Sequence, residues 1–247
     1  MQFANIQWKE SINCIDTPYS IDFNDIYFST DDGLQETEYV FIAHNQLKQR
    51  FKALSENTFC VAETGFGTGL NFLVVASYWL ALAPITAKLR FISIEKYPLR
   101  LDDLTRALQV WPQFSELAHA LIFQYSHLKA GCNHFSFANN RIELLLHIGD
   151  VIDVLPSLQI ADETCVNAWL LDGFSPAKNA DMWSADVLQH MARISGGGST
   201  FATFTSAGMV RRNLEAIGFY VEKHAGYGKK REMMAGYLVG TNKGQFK

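Results

Sequence analysis

Cysteine is scarce in this 247-residue chain. Cys14, Cys60, Cys132 and Cys165 are scattered, and no two form a Cys-x-x-Cys pair. That spacing argues against a disulfide framework, a zinc site or a redox pair, and predicts reduced thiols, with Cys60 and Cys165 inside apolar strands. Basic residues do not dominate either. The 21 Lys+Arg stand against 25 Asp+Glu, a formal charge of −4. A generic polyanion binder usually carries a basic excess, so the whole-chain charge argues against one. Every apolar run is broken before the roughly 20 residues of a membrane span. The start, Met1-Gln2-Phe3-Ala4-Asn5, has neither the basic stretch nor the apolar core of a signal peptide. Both absences predict a cytoplasmic protein. The seven histidines lack metal-ligand spacing, so no metal is expected, and His147 and His190 read as ordinary residues of a strand and a helix. Repeats, low-complexity tracts and Pro/Gly linkers are missing too.

What is present is alternation. With 48% hydrophobic and 19% charged residues the chain must fold. Apolar β-type runs at Thr58–Ala62, Leu89–Ile94, Arg141–Ile148, Val166–Leu171 and Ser199–Thr205 read as strands covered on both faces. Each is followed by a helical pattern: Leu70–Leu82, Leu99–Leu108, Val151–Leu158, Asp181–Arg193 and Ala207–Ala216. Repeated βα units predict an α/β fold with a mostly parallel sheet. Phe219–Lys223 and Glu232–Val239, with no helix between them, predict a C-terminal antiparallel hairpin and seven strands in all. Gly196-Gly197-Gly198 reads as the turn before the fifth strand. Residues 56–247 form this domain. Residues 1–55 read as an N-terminal extension, a β piece at Tyr19–Ser29 and a helix at Glu38–Leu54. Residues 112–140 read as an irregular insertion.

The first strand runs into Glu63-Thr64-Gly65-Phe66-Gly67-Thr68-Gly69-Leu70-Asn71. Glycine at every second position lets the backbone turn tightly and approach a ligand, at the strand end where doubly wound sheets bind them. The dinucleotide pattern fails, because Leu70 or Phe72 falls where its third glycine belongs. The P-loop fails for want of a Lys-Ser/Thr. A carboxylate ahead of the glycines disfavours pyrophosphate and suits a cationic ligand. The arrangement resembles the first motif of class I S-adenosylmethionine methyltransferases. On that reading Glu63, Gly65, Phe66, Gly67, Gly69 and Asn71 hold the cofactor. Glu95, with Lys96 beside it, ends the second strand, where an acidic group accepts ribose hydroxyls. Asp150 ends the third strand and either accepts from an adenine amino group or caps the next helix.

The fourth strand ends in Asp172-Gly173-Phe174-Ser175-Pro176. This looks like a variant of the Asp/Asn-Pro-Pro-aromatic motif of amino-group methyltransferases. A carboxylate can accept an N–H bond, orient an amine and take its proton. An aromatic face can stack on a flat substrate or sit beside a cation. Asp172 and Phe174 are therefore the candidate catalytic pair, with Asp172 also against the cofactor.

Longer stretches resemble one family. They are Glu63–Phe72, Leu171–Asn179 with Asp181-Met182-Trp183, Ala202–Gly208 with Val210-Arg211-Arg212, and Gly226–Met233. Asp25–Ser29 and Asp32–Thr37 join them, so the resemblance spans nearly the whole chain. All are similar to the methyltransferase domain of the MnmC family of bacterial tRNA-modifying enzymes. The resemblance implies a Rossmann-like class I fold and N-methylation, by S-adenosylmethionine, of 5-aminomethyl-2-thiouridine at the tRNA wobble position. It also implies Asp172 at the reacting amine. In its best-known form the family carries a C-terminal FAD-dependent oxidoreductase domain, so FAD is expected only if such a domain follows Lys247. The tail Gly240–Lys247 reads as a linker.

An anticodon substrate demands a basic surface. Residues 205–247 hold Arg211, Arg212, Lys223, Lys229, Lys230, Arg231, Lys243 and Lys247 against Glu215, Glu222 and Glu232, a net +5 that leaves −9 on the first 204 residues. Asymmetry of this kind marks a nucleic-acid-facing end on an acidic body. The tRNA candidates are Arg211, Arg212, Lys229, Lys230 and Arg231, with Lys178 beside the catalytic strand end and Tyr227 to stack on an unpaired base. Two readings compete: a class I methyltransferase of small-molecule or protein amines, and a non-catalytic tRNA-binding module.

Overall fold

Runs of Val, Ile, Leu and Phe that cannot face water build the centre of the molecule. The computed structural model describes residues 1–9, 16–28, 32–159 and 165–240. Cys14, Ser29, Lys243, Lys247 and the rest of the tail from 241 lie outside the described residues.

An N-terminal sheet pairs β1 (Ile6–Lys9), β2 (Thr17–Ser20) and β3 (Asp25–Ile26) antiparallel. Next come α1 (Gly33–Thr37), a π-helical turn (Glu38–Ala43) and α2 (Leu47–Lys52). The sequence predicted one helix from Glu38. The chain instead breaks where Gln46 adopts a left-handed φ of 54°.

The main sheet contains β4 (Thr58–Glu63), β5 (Lys88–Glu95), β6 (Gly131–Phe137), β7 (Ile142–Ile148), β8 (Val166–Leu170), β9 (Ser195–Thr203), β10 (Phe219–Ala225) and β11 (Glu232–Leu238). Its order is β10-β11-β9-β8-β4-β5-β7-β6. The five central strands are parallel, and the three others pair antiparallel at the two ends. The helices are α3 (Leu70–Leu82), α4 (Leu101–Leu108), α5 (Ser115–Tyr125), α6 (Val151–Ser157), α7 (Ala185–Arg193) and α8 (Gly208–Ala216). Successive residues of β4 feed opposite cores. Phe59 and Val61 pack with α3, while Cys60 and Ala62 pack with the α6–α8 side. Phe41, Leu47 and Phe51 of the N-terminal extension belong to the first core, so that extension is built into the domain.

Three further expectations are corrected. The region 112–140 is regular: α5 and β6 occupy most of it, and β6 makes the sheet eight-stranded. Edge strand β6 alternates buried Asn133, Phe135 and Phe137 with exposed Cys132, His134 and Ser136, and that half-polar pattern hid it. Gly196–Gly198 lie inside β9 rather than before it, where the pairing with β8 shifts register. A Cβ at Gly196 would overlap the Cys165 thiol. The helix predicted from Asp181 starts at Ala185, because Ser184 accepts from the Val187 N–H and caps it after a 3-10 turn.

The chain steps from β4 outward to β5 and β7, then returns to β8 on the other side of β4. The two loops leaving β4 and β8 therefore flank the point where strand order reverses, and ligands of open α/β sheets bind there.

Candidate active site

A cavity of about 540 Å³ opens at that reversal. The loop after β4 (Thr64–Thr68) and the loop after β8 (Asp172–Ser175) form its base. These loops touch backbone to backbone: a Cβ on Gly65 would lie 3.3 Å from Gly173 Cα. Gly173 itself has a φ of 126°, and a Cβ there would come within 2.5 Å of Met182 Cε. Gly67 has a φ of 53°, the left-handed region glycine tolerates.

Asp172 is fixed from two directions. Its Oδ1 accepts from the Gly173 N–H at 2.8 Å, and its Oδ2 accepts from Asn71 Nδ2 at 2.7 Å. Asn71 also donates to Glu63 Oε1 at 2.8 Å and accepts from the Thr37 hydroxyl at 2.9 Å. Burial pushes the Asp172 carboxyl from 3.8 up to about 6, and these hydrogen bonds oppose the shift without cancelling it. Such a group is ionised at neutral pH yet basic enough to take a proton.

Phe174 is clamped. Its ring stacks on Phe23 at 4.5 Å and meets Tyr27 edge-on at 5.4 Å, while its carbonyl accepts from Trp183 Nε1 at 3.0 Å. Glu95 lines the cavity and accepts from the N–H groups of Gly67 and Tyr97, both at 2.9 Å. Burial raises its carboxyl above the ordinary range.

Most sequence candidates meet here. Gly65, Phe66, Gly67, Asn71, Glu95, Lys96, Asp150, Asp172, Phe174, Lys178, Tyr227, Lys229 and Lys230 all line the cavity. Glu63 and Gly69 do not. Glu63 shares the α3 face of β4 with Val61, so its carboxylate turns to Ser93 Oγ at 2.7 Å and to Asn71, only 1% exposed. Burial pushes it well above the ordinary range. It supports the cavity from beneath instead of facing it. Gly69 serves packing: its φ is 77°, and a Cβ would press on Phe66 at 2.9 Å.

Asp150 does cap α6, accepting from the Ile152 N–H at 3.2 Å, and pairs with Lys96 at 2.6 Å. Lys178 is engaged with Asp25 at 3.1 Å. Arg211, Arg212 and Arg231 are exposed and lie outside the cavity lining.

Several lining residues were not picked out as site residues from sequence: Phe23, Asp25 and Tyr27 of the N-terminal sheet, Glu36 and Thr37 of α1, and Phe204 after β9. The first five come from an extension held over the strand ends by contacts distant in sequence, among them the Thr37 hydroxyl with Asn71 and Asp25 with Lys178. The one signal for Asp25, Tyr27, Glu36 and Thr37 was the set of family-like stretches Asp25–Ser29 and Asp32–Thr37, and Phe23 had none.

A doubly wound sheet with a glycine loop after its first parallel strand, an acidic end on the second and an aspartate on the fourth defines the class I methyltransferase architecture. Residues 112–239, more than half of the chain, match the family described as S-adenosyl-L-methionine-dependent methyltransferase, and the chain belongs to it. Relatives named tRNA 5-methylaminomethyl-2-thiouridine biosynthesis bifunctional protein MnmC are similar to it. The Methylobacillus flagellatus protein is 45% identical over 94% of this chain and 35% of its own length. That of Chromobacterium violaceum is 47% identical over 96% of this chain and 34% of its own. The chain thus spans about a third of the length of these relatives. The crystal structure of MNMC2 from Aquifex aeolicus shares the fold, with a TM-score of 0.75 over 96% of this chain and 71% of that one, at 19% identity.

Proposed function

We propose that the chain transfers a methyl group from S-adenosylmethionine to the primary amine of 5-aminomethyl-2-thiouridine at position 34 of tRNA, giving 5-methylaminomethyl-2-thiouridine. The observation that carries this reading is Asp172, a fixed cavity carboxylate with its proton affinity raised to about 6. The names of the MnmC relatives point to the same modified nucleoside.

The residues fit the family's cofactor. Gly65 and Gly67 keep the loop free of side chains, and Glu95 lines the cavity as a carboxylate fixed by backbone N–H groups, where it could accept ribose hydroxyls. An acidic lining suits a cationic sulfonium. Asp150 and Lys96, which line the same cavity, would hold the cofactor's nucleoside. When bound, the cofactor supplies an electrophilic methyl group.

Everything else is done by the chain. Asp172 accepts an N–H of the incoming amine, takes its proton and leaves the lone pair aimed. Asn71 and the Gly173 N–H hold that carboxylate in place, so alignment supplies much of the rate. Phe174, backed by Phe23, presents an aromatic surface for the flat uracil. The anticodon stem-loop approaches over Tyr227 and Lys229. The second activity of the bifunctional relatives, an FAD-dependent oxidoreductase in the resemblance above, acts alongside this domain, either fused to it or separate.

Labelled S-adenosylmethionine and tRNA carrying 5-aminomethyl-2-thiouridine test the proposal. Label is expected in the nucleoside at position 34; folded protein that incorporates none there would overturn it.

A further inference from the structure

We propose that Glu36 and the ring of Phe204 form the reception site for the substrate's ammonium group, which Lys230 occupies in the free protein. This rests on the aminomethyl-uridine reading above.

Lys230 Nζ lies 2.6 Å from Glu36 Oε1 and 4.3 Å from the centroid of the Phe204 ring. Carboxylate plus aromatic face is a cation site. Its occupant is a primary ammonium on a methylene, the same group that 5-aminomethyluridine carries. Both ligands line the cavity that contains Asp172.

The two partners of the ion pair differ in freedom. Glu36 is 16% exposed and sits on α1, whose first turn is capped by Asp32 accepting from Gln35 N–H at 2.9 Å. Lys230 is 45% exposed, on the hairpin loop between β10 and β11 that contains Gly228. Gly228 has a φ of 59° and no atom near its would-be Cβ. The carboxylate is the fixed half of the pair, and the lysine is the half that can leave.

Exchange of one ammonium for another keeps Glu36 compensated throughout, so no carboxylate is stranded in the cavity. The displaced Lys230 becomes available to a tRNA phosphate only when the correct amine has entered. A uridine without the aminomethyl group offers Glu36 nothing and leaves Lys230 in place. From Glu36 the ammonium passes to Asp172: the N–H bond breaks, an O–H bond forms on the carboxylate, and a neutral amine remains.

The test is binding of two anticodon stem-loops, with and without the 5-aminomethyl group at U34, followed by fluorescence anisotropy. Wild-type protein is expected to prefer the aminomethyl loop about tenfold, the worth of one charged hydrogen bond. Glu36→Gln should cut that preference below about twofold while binding the plain loop at least as well, because Lys230 is set free. Lys230→Met should keep the preference. Phe204→Leu, which removes the ring face and retains bulk, should reduce it and serves if Glu36→Gln does not fold.

Equal binding of both loops by wild type, or a preference that survives Glu36→Gln or Phe204→Leu, overturns the subsite. Methyl transfer by wild type is scored in parallel. Transfer with a failed subsite leaves the proposed function standing, whereas absence of transfer removes both.

Discussion

Asp172 answers two opposed requirements. In the proposed reaction it must be charged to accept a proton, yet it is buried, and burial favours the neutral form. Asn71 Nδ2 and the Gly173 N–H offset part of that penalty, which places the group near 6. Two outcomes follow at this single residue. Single-turnover methyl transfer should show an acid limb near pH 6, and Asp172→Asn should slow it by about 10²- to 10⁴-fold, the usual worth of a positioned base. Stability should respond in the opposite sense to that of an ordinary surface aspartate. The folded protein holds a proton that the unfolded chain releases between 3.8 and about 6. The contribution of the group is therefore fully present below the lower value and is lost as pH rises through the upper one. Thermal unfolding of Asp172→Asn against wild type across pH 4–7 should show that slope flattened. A slope identical in both proteins would place the shift on another group. Gly173→Ala tests the backbone at the same spot. A φ of 126° and a Cβ 2.5 Å from Met182 Cε predict lost activity together with a lower melting temperature.

At the scale of elements, the N-terminal sheet acts as a cover for the cavity. Phe23 stacks on Phe174, Tyr27 stands edge-on to it, and Asp25 pairs with Lys178. Aromatic pairs of this kind are worth about 0.5–1.5 kcal/mol beyond their buried area. Phe23→Ala should therefore weaken cofactor and substrate binding by roughly three- to tenfold, measured by calorimetry, with little change in melting temperature because the main cores do not include Phe23. Much of the central sheet was legible in advance for a physical reason. Strands covered on both faces read as continuous apolar runs, and loops that must bend sharply show their glycines, so β4, β5, β7, β8 and the Gly65 loop stood out. What stayed hidden depends on facing and distance. Edge strand β6 is half polar. The glycines of β9 mark a register shift that sequence cannot distinguish from a turn. Glu63 ends a strand before a glycine loop, and only the alternation counted from Val61 shows that its carboxylate turns towards α3. Phe23 and Glu36 reach the cavity from far along the chain, and no local pattern announces that.

For the whole molecule, the question is how a chain of net charge −4 would hold the polyanion that the proposed function requires. Part of the basic C-terminal region is neutralised internally: Lys223 pairs with Glu232, Arg211 with Glu215 and Lys230 with Glu36. Arg212, Lys229 and Arg231 are exposed and make no ion pair among the described residues. Lys229 stands at the rim of the cavity, Arg231 is its near neighbour on the same loop, and Arg212 is on α8. Among the described residues of the C-terminal region, these three are the cations available to phosphates before any exchange at Glu36. Each phosphate contact to single-stranded RNA contributes about 0.7 to the slope of log affinity against log salt. The triple variant Arg212→Ala/Lys229→Ala/Arg231→Ala should therefore lower that slope for an anticodon stem-loop by about 2, while cofactor affinity, measured by calorimetry without RNA, stays at the wild-type value. A slope unchanged in the triple variant would move the RNA to a different face of the protein. A change in cofactor affinity would mean that these charges act within the cavity itself. The acidic body matters to the outcome as much as the basic loop does. Surplus negative charge elsewhere would repel the rest of a bound tRNA, so on the proposed function tight binding should depend on docking at one end and fall steeply with salt, as expected of an enzyme that must release each product to reach the next.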